Sequence, residues 1–113
     1  MMNRDLLCIE RIAGEIDFLN QIVKDLSFED FMHDEMIQHA VSMALINIGE
    51  CSDRLSDAFK EKHTQIEWVQ IIAVRNIATH GYWQLDMSQI WQALIEDIPV
   101  LNKFTFDVLN NAF

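Results

Sequence analysis

Apolar residues recur along this chain at the three- and four-residue spacing of an α-helix rather than the alternation of a strand. In the first segment Leu6, Ile9, Ile12, Ala13, Ile16, Leu19, Val23 and Leu26 fall along one side, while Glu10, Glu15, Lys24 and Asp25 lie elsewhere, as in an amphipathic helix. Ser27 to Asp30 has the spacing of a capping box, with an aspartate at the third position beyond the cap, and predicts a break followed by a short turn of helix. A second long helix is predicted from about Asp34 to Lys62, with Ile37, Ala40, Val41, Ala44, Ile48, Cys51, Leu55, Ala58 and Phe59 in register. Met36, Met43 and Leu45 fall outside that stripe, so this helix has apolar surface for two neighbours, a second copy of the chain among the candidates.

The third segment, Ile66 to Thr79, is apolar nearly all round, the pattern of a buried helix. Gly81 stands where a left-handed C-terminal cap would close it, which puts His80 in the last turn and Tyr82 just beyond. Asp86 with Gln89 resembles another N-terminal box and opens a fourth helix carrying Ile90, Trp91, Leu94, Ile95, Ile98, Leu101, Phe104, Val108 and Leu109. Pro99 is expected to bend or interrupt that helix. Helices with short connections predict an all-α, up-and-down four-helix bundle, its last helix kinked near Pro99.

The length of 113 residues fits one domain spanning 1–113, and a half-apolar composition with three glycines and one proline disfavours turn-rich sheets and disordered tails. Cys8 and Cys51 sit among apolar neighbours without metal-like spacing and read as reduced core residues. Neither a leader-like N-terminus nor a membrane-length apolar run is visible, so the expected location is cytoplasmic. The net charge of −10 argues against broad electrostatic adhesion to DNA, RNA or anionic membranes, although a local cationic pocket on an acidic body stays open.

Chemistry concentrates in Arg75-Asn76-Ile77-Ala78-Thr79-His80-Gly81-Tyr82, where a cation, an amide and an imidazole interrupt an apolar helix. Burying such groups without partners costs several kcal/mol, so internal partners or a functional pocket must compensate. Asn76 and His80, four apart, share a face. Arg75 and His80, five apart, point roughly 140° from each other on an ideal helix. They converge only if the helix ends near His80 or if two copies of the segment meet around one cleft. The plain structural alternative is that Arg75 bridges Glu50 or Asp53 on the second helix, that His80 favours the helix C-terminus, and that Tyr82 merely packs. His33, His39 and His63 lack ligand spacing to one another, so no metal site is expected.

The order Arg75, Asn76, three further residues, His80, one residue and Tyr82 resembles the motif of the HepT-type branch of the HEPN superfamily. The resemblance extends from about Ala40 to Phe104. It includes Ile48-Gly49-Glu50 with Arg54-Leu55-Ser56, Trp68 followed by Ile72, Trp91, and the run Asp97 to Leu101. Glu67 replaces a proline that commonly precedes the tryptophan, and Ala73-Val74 replace small residues before the arginine; neither departure touches the chemical groups.

The resemblance implies a metal-independent endoribonuclease toxin without cofactors, in which the RNA 2′-hydroxyl attacks the adjacent phosphate. His80 would act as general base or acid, Arg75 would hold the phosphate, and Asn76 would orient. It further implies a homodimer whose two motifs flank one cleft, with a transfer or messenger RNA as substrate. The implied antitoxin is an MntA-like nucleotidyltransferase that transfers AMP from ATP to Tyr82, adding charge and bulk near His80. An alternative of another class is a non-catalytic HEPN subunit that binds substrate or partner for that nucleotidyltransferase.

Overall fold

The computed structural model describes residues 2–83 and 86–111, with the side chains of Gly81 and Tyr82 outside that description. The described chain forms six helices: α1 (Asn3–Val23), α2 (Phe28–Met32), α3 (Glu35–Asp53), α4 (Asp57–Lys62), α5 (Trp68–Trp83) and α6 (Met87–Asn111). The long helices pack in cyclic order, α1 on α3, α3 on α5, α5 on α6 and α6 back on α1, the α3–α5 seam being the most extensive. This is the all-α bundle expected from the periodicity, with short α2 and α4 inserted at two of its connections. Among the described residues, no helix is long and apolar enough to cross a membrane.

Helix α1 buries Cys8, Ile9, Ile12, Ile16 and Leu19 at helical spacing. It stops because Asp25 adopts φ 63°, a left-handed conformation that aspartate tolerates better than most residues, while Leu26 N–H closes the turn on Val23 O at 2.9 Å. Ser27 then caps α2 by accepting from Asp30 N–H at 3.0 Å, so the short helical turn predicted there is present. Phe31 of α2 is fully buried and meets Trp91 of α6 at a ring separation of 5.2 Å. Asp34 accepts from Ile37 N–H at 3.1 Å and opens α3.

The second helix does not run to Lys62 as its periodicity suggested: α3 ends at Asp53 and α4 begins at Asp57. Ser56 makes the break. Its hydroxyl caps α4 by accepting from Phe59 N–H at 3.1 Å. Its own N–H and Oγ–H both donate to the buried Asp5 carboxylate of α1, each at 2.7 Å. Hydrogen bonds to a charged acceptor are worth about 1.5–3 kcal/mol each, more than the propensity gained by one continuous helix. Beyond this corner, Phe59 packs edge-on against Trp68 and Phe104, and the Trp68 indole N–H donates to His63 O at 2.9 Å. Burial behind Phe59 and Phe104, and then the neighbouring Lys62, hold the His63 pKa below its ordinary value.

Two further expectations, both about α5, change. Helix α5 is not closed by Gly81 but stays helical through Trp83. It is also not buried on every side, since Val69 is 85% and Trp83 80% exposed while Trp68, Ile71, Val74 and Ala78 form its inner face. Helix α6 begins at Met87, one residue beyond Asp86, and Pro99 does not interrupt it. Proline lacks the N–H for one rung of the ladder, a loss tolerated because Pro99 lies on the solvent side, flanked inward by Ile98 and Leu101. Cys8 and Cys51 are free thiols, Cys8 in the core and Cys51 packed against it; burial, and then the proximity of Cys8, raises the Cys51 pKa.

Candidate functional site

Gly49 is buried within α3, one turn before its end, where a glycine costs helix stability unless close packing needs it. It lies directly against α5 at Arg75. A Cβ placed on Gly49 would stand 2.5 Å from Arg75 Cβ, 2.9 Å from Arg75 N and 3.1 Å from Arg75 Cα. The two backbones therefore cross at the first residue of the motif, and the absent side chain sets how near Arg75 sits to the last turn of α3.

From that crossing the Arg75 side chain reaches along α3. Its Nη1 donates to Glu50 Oε1 at 3.0 Å and to Asp53 Oδ2 at 3.5 Å. Both carboxylates considered from the sequence are thus its partners. Arg75 keeps 26% of its side-chain surface exposed and Glu50 44%, so these are screened ion pairs at the edge of the α3–α5 seam rather than a buried bridge. The bond to Glu50, above all, raises the Arg75 pKa and keeps the guanidinium charged. One turn on, Thr79 Oγ1 donates back to Arg75 O at 2.9 Å, which satisfies the hydroxyl within the helix.

Asn76 and His80 both lie on the exposed surface of α5. Val69, Asn76 and Trp83 follow one another at seven-residue steps and share one face, with His80 a single turn from Asn76. On α3, Met36, Met43 and Glu50 follow the same seven-residue step, and Met36 and Met43 are 82% and 57% exposed. The Arg75–Glu50 pair joins these two faces. The outer surface of the α3–α5 pair therefore presents large apolar side chains together with an arginine, an amide and an imidazole.

Because α5 continues past His80, Arg75 and His80 remain roughly 140° apart around one helix, and the first of the two routes to convergence is closed. Among the described residues of one chain, Arg75 meets its acidic partners and Asn76 shares a face with His80, but the arginine and the histidine are not brought together. The side chain of Tyr82, the expected modification site, lies outside the described residues. Periodicity does not reveal Gly49 as the residue that fixes the crossing; an isolated glycine within an apolar helical run is the available signal.

A cavity of about 920 Å³ lies elsewhere, where α1, α4 and the end of α6 meet, and its lining includes Leu6, Ser56, Phe59, His63, Phe104 and Asp107. No motif residue contributes to it. Among the described residues, no three His, Cys, Asp or Glu side chains are grouped as a metal ion would require.

A family model described as ribonuclease HepT-like matches residues 12–108. A Caldanaerobacter subterraneus protein named as an RNase is 35% identical over 101 residues, covering 89% of this chain and 90% of its own length. A protein of Thermococcus cleftensis named as a ribonuclease HepT is 36% identical over 93 residues, covering 82% of this chain and 84% of its own. A Methanocaldococcus jannaschii protein named as an RNase is 34% identical over 83 residues, covering 74% and 76% respectively. No solved structure matches the chain significantly.

Proposed function

The chain belongs to the HepT-like ribonuclease family, and from that membership we propose that it is a metal-independent endoribonuclease, the toxin of a toxin–antitoxin pair, working as a homodimer in the cytoplasm. The observation that carries the dimer is the exposed face of α5, on which Asn76 and His80 lie between Val69 and Trp83. Apolar surface of this kind marks an interaction site, and a two-fold partner docked there brings a second motif to the same cleft. Arg75 of one copy then works with His80 of the other.

In that cleft a histidine takes the proton of the RNA 2′-hydroxyl as the 2′-oxygen bonds to the adjacent phosphorus. The bond from phosphorus to the 5′-oxygen breaks, and the imidazolium so formed gives that proton to the leaving oxygen. The guanidinium stabilises charge on the non-bridging phosphate oxygens, and Asn76 orients the attacking group. Two arginines and two histidines concentrated in one cleft offset the acidic body locally, for a transfer or messenger RNA. The test is incubation of the purified protein with RNA in the presence of a chelator. Cleavage is expected; intact RNA overturns the ribonuclease reading.

Inhibition is proposed to come from an MntA-like nucleotidyltransferase that transfers AMP from ATP to Tyr82, placing a phosphate two residues from His80, where it repels substrate. Incubation with that transferase and ATP is expected to add the mass of AMP to the wild type and to leave Tyr82→Phe unmodified. The same mass on Tyr82→Phe removes Tyr82 as the acceptor.

A second reading is favoured by the engagement of Arg75 with Glu50 and Asp53: a non-catalytic subunit that binds the partner nucleotidyltransferase. Intact RNA together with a stable complex with the transferase distinguishes it.

A further inference from the structure

Both bonds from Arg75 to α3 leave through a single nitrogen, Nη1. Its Nε and Nη2 make no hydrogen bond to any described residue. In a guanidinium, Nε–H and Nη2–H lie on the same side and form the side-on fork that matches two oxygens of a phosphate. We propose that Glu50 and Asp53 are positioning residues for phosphate recognition: they hold Arg75 by Nη1 and present its side-on fork, undivided, to a phosphate of the substrate. Where the substrate is RNA, this inference rests on the ribonuclease reading.

The arrangement is specific in three respects. The close crossing at Gly49 delivers the root of Arg75 to the last turn of α3. Glu50 and Asp53, three residues apart on that turn, reach the same nitrogen from adjacent positions. Both carboxylates are partly exposed, so their removal leaves the core intact. Two negative charges beside the only motif cation weaken its long-range attraction for RNA. An acidic pair placed there raises turnover only by fixing direction, since an arginine with a long, rotatable stem loses entropy on clamping a phosphate unless it is held beforehand.

The experiment compares the wild type with Glu50→Gln and with the double variant Glu50→Ala/Asp53→Ala. Thermal unfolding is expected to be nearly unchanged in both. In steady-state cleavage of a short RNA, the double variant is expected to lose about 10–100-fold in kcat with little change in KM, the scale associated with a misplaced catalytic group. Glu50→Gln keeps a carbonyl acceptor for Nη1 and is expected to retain most of the activity. An unchanged kcat with a lowered KM shows that the carboxylates only repel RNA and overturns the proposal.

A second readout does not depend on cleavage: the Arg75 Nε–H resonance followed by NMR during titration with inorganic phosphate. It is expected to move in the wild type and in Glu50→Gln, and much less in the double variant. No movement in the wild type, or equal movement in all three proteins, overturns the positioning role. If RNA stays intact but these shifts appear as expected, the ribonuclease reading fails while the phosphate fork stands.

Discussion

Replacing Gly49 by alanine is expected to lower the melting temperature of the protein, although alanine is the better helix former by about 1 kcal/mol. The reason is the distance at which the new methyl group would arrive. Its Cβ would lie 2.5 Å from Arg75 Cβ and 2.9 Å from a backbone nitrogen, well inside van der Waals contact. Neither atom belongs to the mobile end of a side chain, so α3 and α5 must separate along the largest interface in the bundle. Overpacking of this kind costs about 1–3 kcal/mol and sometimes more. A net loss of about 1–2 kcal/mol corresponds to a fall in Tm on the order of 5–10 °C for a domain of this order of size.

Gly14 supplies the internal control. It is an exposed glycine within α1, and a Cβ added there meets nothing within 4 Å. Gly14→Ala is therefore expected to raise stability by about 0.5–1 kcal/mol through helix propensity alone. Thermal unfolding of the two variants, followed by circular dichroism, separates the effects by sign. A Gly49→Ala protein that melts at or above the wild type sinks the claim that this glycine sets the crossing.

How much of the fold is legible in the amino-acid sequence depends on the range of the interactions involved. The inner stripes of α1 and α6 are legible because a helix facing one core must repeat its apolar positions every three or four residues. The caps at Ser27 and Asp34 involve residues three apart and depend on nothing distant. The break after Asp53 is different. Leu55, Ala58 and Phe59 keep the helical register across it, and the cause is Asp5, 51 positions away, receiving both donors of Ser56. A tertiary acceptor overrides a local pattern that has no counter-signal of its own.

Gly81 shows the converse: glycine permits a left-handed cap without imposing one, and α5 continues through it. The ion pair from Arg75 to Glu50 and Asp53 is foreseeable as one of two uses of a cation in an apolar helix. Which nitrogen is engaged, and which fork is left open, depends on the Gly49 crossing and is invisible to periodicity. The apolar pattern of α5 overstates its burial for a related reason. An all-apolar helix reads the same whether its outer face is covered by its own core or, as in the proposed dimer, by a second copy.

Arg75→Ala and His80→Ala, each expected to reduce cleavage by about 10²–10⁴-fold on its own, are expected to regain activity when the two variants are combined in one dimer. The reason is geometric. Since α5 is continuous through Trp83, an arginine and a histidine of the same copy face directions roughly 140° apart, so one phosphate between them takes its arginine and its histidine from different copies. In a mixed dimer, the intact Arg75 of the His80→Ala subunit faces the intact His80 of the Arg75→Ala subunit. One composite site is whole and the other lacks both groups. Random assembly at equal amounts yields about half mixed dimers, so recovery approaches about a quarter of wild-type activity. If each copy instead supplied its own pair, every site in the mixture would lack one group and activity would stay at the level of the single variants. Native mass spectrometry establishes that mixed dimers have formed. Mixed dimers without recovered cleavage therefore refute the shared site, and a protein that remains monomeric at assay concentrations refutes the cleft itself.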